Sequence, residues 1–222
     1  MNLVEEFTLL AYDDDGTPLT DSTHLDHGLG GGLLLELAMA GRVDVADKRV
    51  IVLDPRPTGD PLIDAALMRI VADDKSRKSG YWVSKFAKDT RYQVLDKLVA
   101  EGILRVEKDK VLWIFPRTKY PAAHGVEPGQ ETDARERMRR AVLGGGAVEP
   151  RTAALGALVA ATDLDQKVFA DLDRKAVKAR LRDIGEGVGA AEAVRKAIEE
   201  IQAAVLVAIV ASTTAATAGT PS

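Results

Sequence analysis

The stretch GLGGGLLLELAMAGRV, residues 28–43, predicts the helix around which the chain folds. Its Leu- and Ala-rich part is typical of a buried helix, and Gly41 marks the end of that helix. The glycines at residues 28–32 predict a loop at the helix N-terminus, where free N–H groups and the helix dipole favour an anion. Close packing at the helix entry explains the same glycines without a ligand.

The flanking segments are also mostly helical. Asn2 and Glu5 fit an N-cap and its reciprocal partner, so a first helix should run to about Tyr12. Asp60 followed by Pro61 is typical of a helix start. Further helices are predicted at about 79–88 and 90–101, and throughout the chain from about 130 onward.

Two β-hairpins are predicted in the first half of the chain, one in VDVADKRVIVLD (43–54) and one in GILRVEKDKVLWIFPRTKYP (102–121). In the second hairpin, EKDK (107–110) predicts the turn. The strand after it is apolar on both faces, since alternate residues point to opposite sides. One face can pack on its own domain, and the other requires more of the protein, a subunit or lipid.

The composition is that of a globular protein. The 222 residues are 46% apolar, and cysteine is absent, which excludes disulfides and thiolate metal sites or nucleophiles. The longest apolar run, residues 203–211, is far shorter than the ~20 residues of a membrane span and suits the centre of a helical bundle. The N-terminus lacks the basic segment of a signal peptide, so we expect a mature cytosolic start.

We therefore predict a mainly α fold, with a single domain at 1–213 and a disordered tail of small polar residues at 214–222. The net charge of −4 is unevenly distributed. Residues 69–119 contain thirteen Lys and Arg against seven Asp and Glu, a balance of +6 that leaves −10 for the remainder. A basic region on an acidic protein indicates a surface for an anionic partner, although solvated helix faces give the same pattern.

No catalytic motif or cofactor fingerprint is apparent, so an enzyme is not expected and no cofactor is predicted. His24 and His27, with Asp21 and Asp26 nearby, have a spacing that suits a metal only on a helix, and no further ligand supports them, so we predict no metal site.

A winged-helix DNA-binding protein is an alternative for the basic region. Its recognition helix would be 90–101, with Arg91 and Lys97 facing phosphates. Acidic residues on or beside that helix argue against it: Asp89, Asp96 and Glu101.

Five segments, in order and spacing, resemble the Golgi phosphoprotein 3 family over nearly the whole chain. They are LVEEFTLLA (3–11), GLGGGLLLELAMAGRV (28–43), PTGDPLIDAAL (57–67), LVAEGILRVEK (98–108) and IQAAVLVAIVAS (201–212). The N-terminal extension of eukaryotic members is absent, so the chain resembles a bacterial relative. The resemblance implies a single helical domain with a central bundle and β-hairpins on one face.

The resemblance also implies a function. Family members are non-enzymatic peripheral membrane proteins and adaptors for client proteins, and they recognise phosphatidylinositol 4-phosphate. An apolar hairpin, here Leu112, Trp113, Ile114 and Phe115, would serve membrane association or homo-oligomerisation. The expected location is the cytoplasm, peripherally on the inner face of the membrane. An oligomerising protein-interaction module is the alternative.

The head-group residues implied by the resemblance are Arg91 and Lys88, expected to share a helix face, with Gly30 and Gly31 as weaker contacts. Two positions depart from the family pattern. Asp21 stands where the family has Trp, and Gly30 where it has Arg. Losing a cation and gaining an acid should weaken the affinity for a polyanion. A different lipid head group, or no phosphoinositide at all, therefore fits these substitutions at least as well as phosphatidylinositol 4-phosphate does.

Overall fold

The computed structural model of the chain describes residues 1–111, 115–146, 148–185 and 192–218, which form ten helices and two β-hairpins. The helices are α1 (Leu3–Leu10), α2 (Ser22–Met39), α3 (Pro61–Val71), α4 (Ser79–Phe86), α5 (Thr90–Ala100), α6 (Gly129–Leu143), α7 (Pro150–Ala161), α8 (Asp165–Val168), α9 (Arg174–Gly185) and α10 (Glu192–Ala218). The strands are β1 (Val43–Ala46), β2 (Arg49–Val52), β3 (Glu107–Val111) and β4 (Phe115–Lys119). The predicted mainly α fold is confirmed.

Helix α2 lies at the centre of the bundle and contacts α1, α4, α5, α7 and α10. It begins after its N-cap Asp21, so residues 28–32 are inside the helix and buried. The predicted anion-contacting loop is therefore wrong, because the short Asp21 side chain caps the helix well before the glycines. The close-packing interpretation fits these residues instead.

The glycines of α2 let two helices approach its backbone. A Cβ on Gly30 would lie 2.3 Å from the carbonyl oxygen of Val83 in α4. A Cβ on Gly31 would lie 2.5 Å from the Val205 side chain in α10. Gly30 and Gly31 thus face neighbouring helices, and neither presents its backbone to a head group from solvent.

The helix starts of the first half follow the predicted capping chemistry. Asn2 accepts a hydrogen bond from the Glu5 N–H while the Glu5 carboxylate accepts one from the Asn2 N–H, which completes a capping box on α1. Asp60 caps α3 by accepting from the N–H groups of Leu62 and Ile63, with Pro61 at the first helical position.

The first hairpin pairs Val43 with Val52 and Val45 with Val50, as predicted. In the second, EKDK lies within β3, so the turn predicted there is wrong. Lys108 on this strand is exposed, so a charged run is compatible with a strand here and did not mark the turn. Leu112, Trp113 and Ile114 lie between the two strands and outside the described residues; of Phe115, the structure describes only the backbone, which begins β4.

Helix α10 differs from the prediction in two ways. It continues to Ala218, so residues 214–218 are helical and not a disordered tail. Its apolar run is only half enclosed, since Ile201 and Val205 are fully buried while Val207 and Val210 are more than half exposed. By length and composition, Val194–Ala215 is apolar enough to cross a membrane, but its buried face forms part of the core of this fold.

Replacing Gly30 with Ala tests the close approach of α4 to α2. The added methyl group would overlap backbone that cannot move aside cheaply, so we expect Gly30→Ala to lower the free energy of unfolding by ~1–3 kcal/mol. Gly32→Ala is the matched control, because its Cβ would meet Val4 at an ordinary 3.4 Å and Ala favours a helix by up to ~1 kcal/mol. Urea denaturation measures both variants, and equal stabilities would contradict the proposed contact.

Candidate anion-binding site

The two predicted head-group cations lie where the start of α2 meets the junction of α4 and α5. Arg91 is the second residue of α5, whereas Lys88 lies in the turn at 87–89 between the two helices. The prediction that they share one helix face is therefore wrong. Helix α4 ends at Phe86 and a new helix starts at Thr90, which interrupts the spacing on which that prediction depended.

Arg91 is already engaged by α2. Its Nε donates a hydrogen bond of 2.6 Å to the Asp26 carboxylate, and its Nη2 donates one of 3.2 Å to the carbonyl oxygen of Ser22. The side chain is only 19% exposed. The charge of Arg91 is thus largely balanced by the protein itself, and an incoming anion has to compete with Asp26.

Two carboxylates border this site. Burial raises the pKa of Asp26, although the hydrogen bond and charge of Arg91 work in the opposite direction. Burial also disfavours ionised Asp21, but the N–H groups of His24 and Thr23 and the neighbouring His24 imidazole together lower its pKa. Asp21 therefore stays negative at neutral pH, where it caps α2 and repels a polyanion.

Lys88 is the available cation. Its side chain is exposed, and among the described residues no hydrogen bond or ion pair engages its ammonium group. Because this ammonium group has no internal partner, it can contact a phosphate without breaking an existing ion pair. Of the two predicted cations, the structure thus leaves Lys88 free and Arg91 occupied.

A group of tyrosines missed by the sequence analysis connects the second hairpin to this region. Tyr12, after α1, and Tyr120, after β4, meet edge to face with ring centroids 6.2 Å apart. Burial raises the pKa of Tyr12 to about 12, while the nearby charge of Arg91 opposes that change. The Tyr120 N–H also donates to the Gly16 carbonyl oxygen at 2.9 Å. These contacts hold the base of the β3–β4 hairpin near Arg91.

Tyr92, next to Arg91 in sequence, is 64% exposed. The aromatic residue directly after a basic one, Tyr92 after Arg91, is a sequence signal that could have drawn attention to this region.

The two cations on which the winged-helix alternative depends are paired with acidic residues of the fold. Lys97 of α5 contacts Glu5 and Asp60 at 2.5 and 2.8 Å. Burial disfavours its charged form, but the hydrogen bonds to Asp60 and Glu5 outweigh burial and raise its pKa. Because Arg91 is paired as well, both cations of the supposed recognition helix are engaged by acidic residues of the fold.

Both histidines of α2 are engaged within the fold. His27 Nδ1 lies 2.8 Å from the Thr23 carbonyl oxygen and Nε2 lies 3.2 Å from Ser212 Oγ. His24 Nδ1 lies 2.6 Å from Asp21. Within the part of the chain that the structure describes, no three His, Cys, Asp or Glu side chains are grouped as metal ligands.

Comparison with protein-family models gives a match to Golgi phosphoprotein 3 (GPP34) over residues 3–201. The matched span is well over half of the chain and includes α1 to α9, both hairpins and both candidate cations. That family is not known as an enzyme family.

Replacing Arg91 with Met tests the Arg91–Asp26 pair. Because the folded-state pKa of Asp26 lies above its ordinary value, Asp26 contributes less to stability as pH rises through that range. Removing Arg91 raises this pKa further, so the loss relative to wild type should grow from about pH 4 to pH 7 and reach ~1–3 kcal/mol.

Urea denaturation across that pH range measures this effect. Arg105→Met is the control, since Arg105 and its partner Glu107 are 44% and 45% exposed and should contribute little at any pH. A loss for Arg91→Met that does not depend on pH would show that Asp26 is not its energetic partner.

Proposed function

Because the chain belongs to the Golgi phosphoprotein 3 family, we propose that it is a non-enzymatic peripheral membrane protein that binds anionic lipid and acts there as an adaptor for client proteins. The family is commonly linked to binding of phosphatidylinositol 4-phosphate, which makes that lipid the first candidate ligand. The proposed location is the cytoplasmic face of a membrane.

The observation that carries the proposal is the composition of the β3–β4 hairpin. The residues between its strands are Leu112, Trp113 and Ile114, and exposed Lys108 and Arg117 lie on the strands beside them. An apolar segment with Trp, flanked by cations, suits the boundary between acyl chains and anionic head groups.

Membrane binding requires both the apolar residues and the cations of the hairpin. A shallow apolar insertion is marginal alone, and each Lys or Arg near an anionic surface contributes ~1 kcal/mol. The tyrosines that fix the hairpin base near Arg91 favour joint action of the hairpin and the Lys88 region. We propose that Lys88 makes the first contact with a head group and that Arg91 joins it only when released from Asp26.

Asp21 and Asp26 support a broad preference for anionic surfaces over tight selection of one phosphoinositide. Asp26 contacts Arg91 directly, and Asp21 lies close enough to Asp26 for its charge to favour a higher Asp26 pKa. Repulsion grows with the charge of the head group, so these acids penalise a phosphoinositide more than a singly charged lipid.

Two substitutions with opposite expected effects test the site by co-sedimentation with vesicles. Lys88→Glu reverses the free cation and should weaken binding to anionic vesicles by at least roughly tenfold. Asp26→Asn removes an acid and releases Arg91, so it should strengthen binding by roughly fivefold. Vesicles that are neutral, contain phosphatidylserine or contain phosphatidylinositol 4-phosphate separate charge from head-group identity.

Lys167→Glu, at an exposed position on α8, is the control with the same change in net charge. An equal loss in Lys167→Glu and Lys88→Glu would reduce the effect to net charge and reject the site. Absence of wild-type binding to every vesicle type would reject the membrane proposal itself.

Trp113→Ser tests the hairpin separately, by light scattering and co-sedimentation. We expect vesicle binding to fall by more than tenfold, because Trp is the side chain best suited to the membrane interface. The mass in solution should stay unchanged. A reduced mass with intact vesicle binding would instead identify the hairpin as a subunit contact.

A further inference from the structure

The exposed sides of α4 and α10 form a surface that the hairpin and Lys88 do not explain. On α10, Leu206, Val207 and Val210 are 46%, 67% and 60% exposed. Their spacing, with Ala203 one turn earlier, places them along one side of the helix. We call this row of exposed apolar side chains the α10 stripe.

A cleft of about 770 Å³ lies between the α10 stripe and the start of α4. Its apolar lining comes from Ala203, Ala204 and Val207 of α10 and from Gly80 and Tyr81 of α4. A half-open apolar cleft that continues into exposed Val and Leu side chains is a larger apolar surface than either element presents alone.

Cations border this cleft. Lys48, Arg49, Arg77 and Lys78 line it, because the β1–β2 turn is fixed against the start of α4. The Ser79 N–H donates to the Lys48 carbonyl oxygen at 2.8 Å. The Arg77 guanidinium lies 4.6 Å from the centre of the Tyr81 ring, which keeps that charge beside the apolar lining.

The two acids that line the cleft are already bound by the protein. Glu199 accepts a hydrogen bond of 2.7 Å from Arg195. Glu200 accepts one of 2.7 Å from the backbone N–H of Lys48. The ammonium groups of Lys48 and Lys78, by contrast, have no ion-pair partner among the described residues. The cleft therefore presents unpaired positive charge around an apolar floor.

We propose that the cleft and the α10 stripe form a second contact with an anionic bilayer, in which the cations meet head groups and Val207 and Val210 meet the upper part of the acyl chains. The charge pattern selects this occupant, since an apolar stripe beside unpaired cations complements a surface with anions above hydrocarbon. The inference rests on the proposed membrane function and adds a docking surface to it.

Helix α4 connects this surface to Lys88. Tyr81 and Lys85 are four residues apart, so they lie on one side of α4, and Lys85 lies 5.8 Å from the centre of the Tyr81 ring. Arg77, just before the helix, lies over the same ring. Lys88 follows in the turn after α4. At a rise of ~1.5 Å per residue, Tyr81 lies only about 8 Å along α4 from Phe86, the last residue of the helix, and Lys88 is two residues further on, so one bilayer interface can accommodate both.

The absence of cysteine allows one environment-sensitive fluorophore to be attached at a chosen position. Val207→Cys reports on the α10 stripe, Leu112→Cys on the hairpin with Trp113 left in place, and Met68→Cys on α3 is the control, since Met68 is 65% exposed and distant from both in sequence. Each labelled protein is mixed with phosphatidylserine vesicles that carry a spin-labelled quencher in their acyl chains. We expect quenching at positions 207 and 112 that is at least threefold stronger than at position 68.

The other outcomes separate the inference from the function on which it rests. Quenching at position 112 without quenching at 207 would overturn the α4–α10 contact and leave the membrane function intact. Absence of vesicle binding by all three labelled proteins and by the unlabelled chain would overturn both. Equal quenching at positions 207 and 68 would also overturn the inference, because contact would then not be specific to this surface.

A substitution at the same position gives a second measurement without a fluorophore. Val207→Asp should weaken co-sedimentation with phosphatidylserine vesicles by roughly tenfold relative to Met68→Asp, which adds the same charge at an equally exposed site. Equal affinities of the two variants would contradict the proposal, and circular dichroism verifies that both remain folded.

Discussion

The close approach of α4 and α10 to the backbone of α2 is the constraint on which the other features depend. Because Gly30 and Gly31 have no side chain, the neighbouring helices lie directly against α2. A Cβ at either position would collide with its neighbour. Helix α4 is thereby fixed against the buried central helix, and the turn with Lys88 begins directly after it. The glycines that suggested a ligand-binding loop therefore do not bind a ligand themselves. By fixing α4 against α2, they determine where Lys88 lies.

A second constraint is the pairing of charges inside the fold. Helix α1 buries Glu5 and Glu6, and these acids engage Lys97, Arg137 and Arg151. Removing one partner of such a buried pair would leave an uncompensated charge, so these cations are committed to the fold. Arg91 is partly committed in the same way through Asp26. The cations that remain available are those on turns and helix exteriors, among them Lys48, Lys78 and Lys88.

Local sequence patterns predicted the helices well because their determinants are local. The Asn2–Glu5 capping box and the Asp60–Pro61 start depend on residues a few positions apart, and both occur as predicted. The role of residues 28–32 could not be read in this way. From the sequence alone, a glycine that is needed for a loop cannot be distinguished from one that allows close contact with a neighbouring helix.

The candidate site was predictable only in part. Arg91 and Lys88 were identified by resemblance, but the partner that occupies Arg91 comes from α2, 65 residues away in sequence. The α10 stripe could not be predicted either, because the sequence of a helix that is apolar all round does not indicate which side stays exposed in the bundle. Long-range contacts decide which charged and apolar groups remain available, and periodicity contains no information about them.

Amide hydrogen exchange, followed with neutral and with anionic vesicles, tests directly whether the chain docks on a membrane through the β3–β4 hairpin and the turn with Lys88. We expect anionic vesicles to slow exchange in peptides that cover the β3–β4 hairpin at 107–119 and the turn at 87–89, while peptides from α6 and α9 stay unchanged. Exchange that is unchanged at the hairpin and the turn, or that slows only on α6 and α9, would contradict docking through this surface.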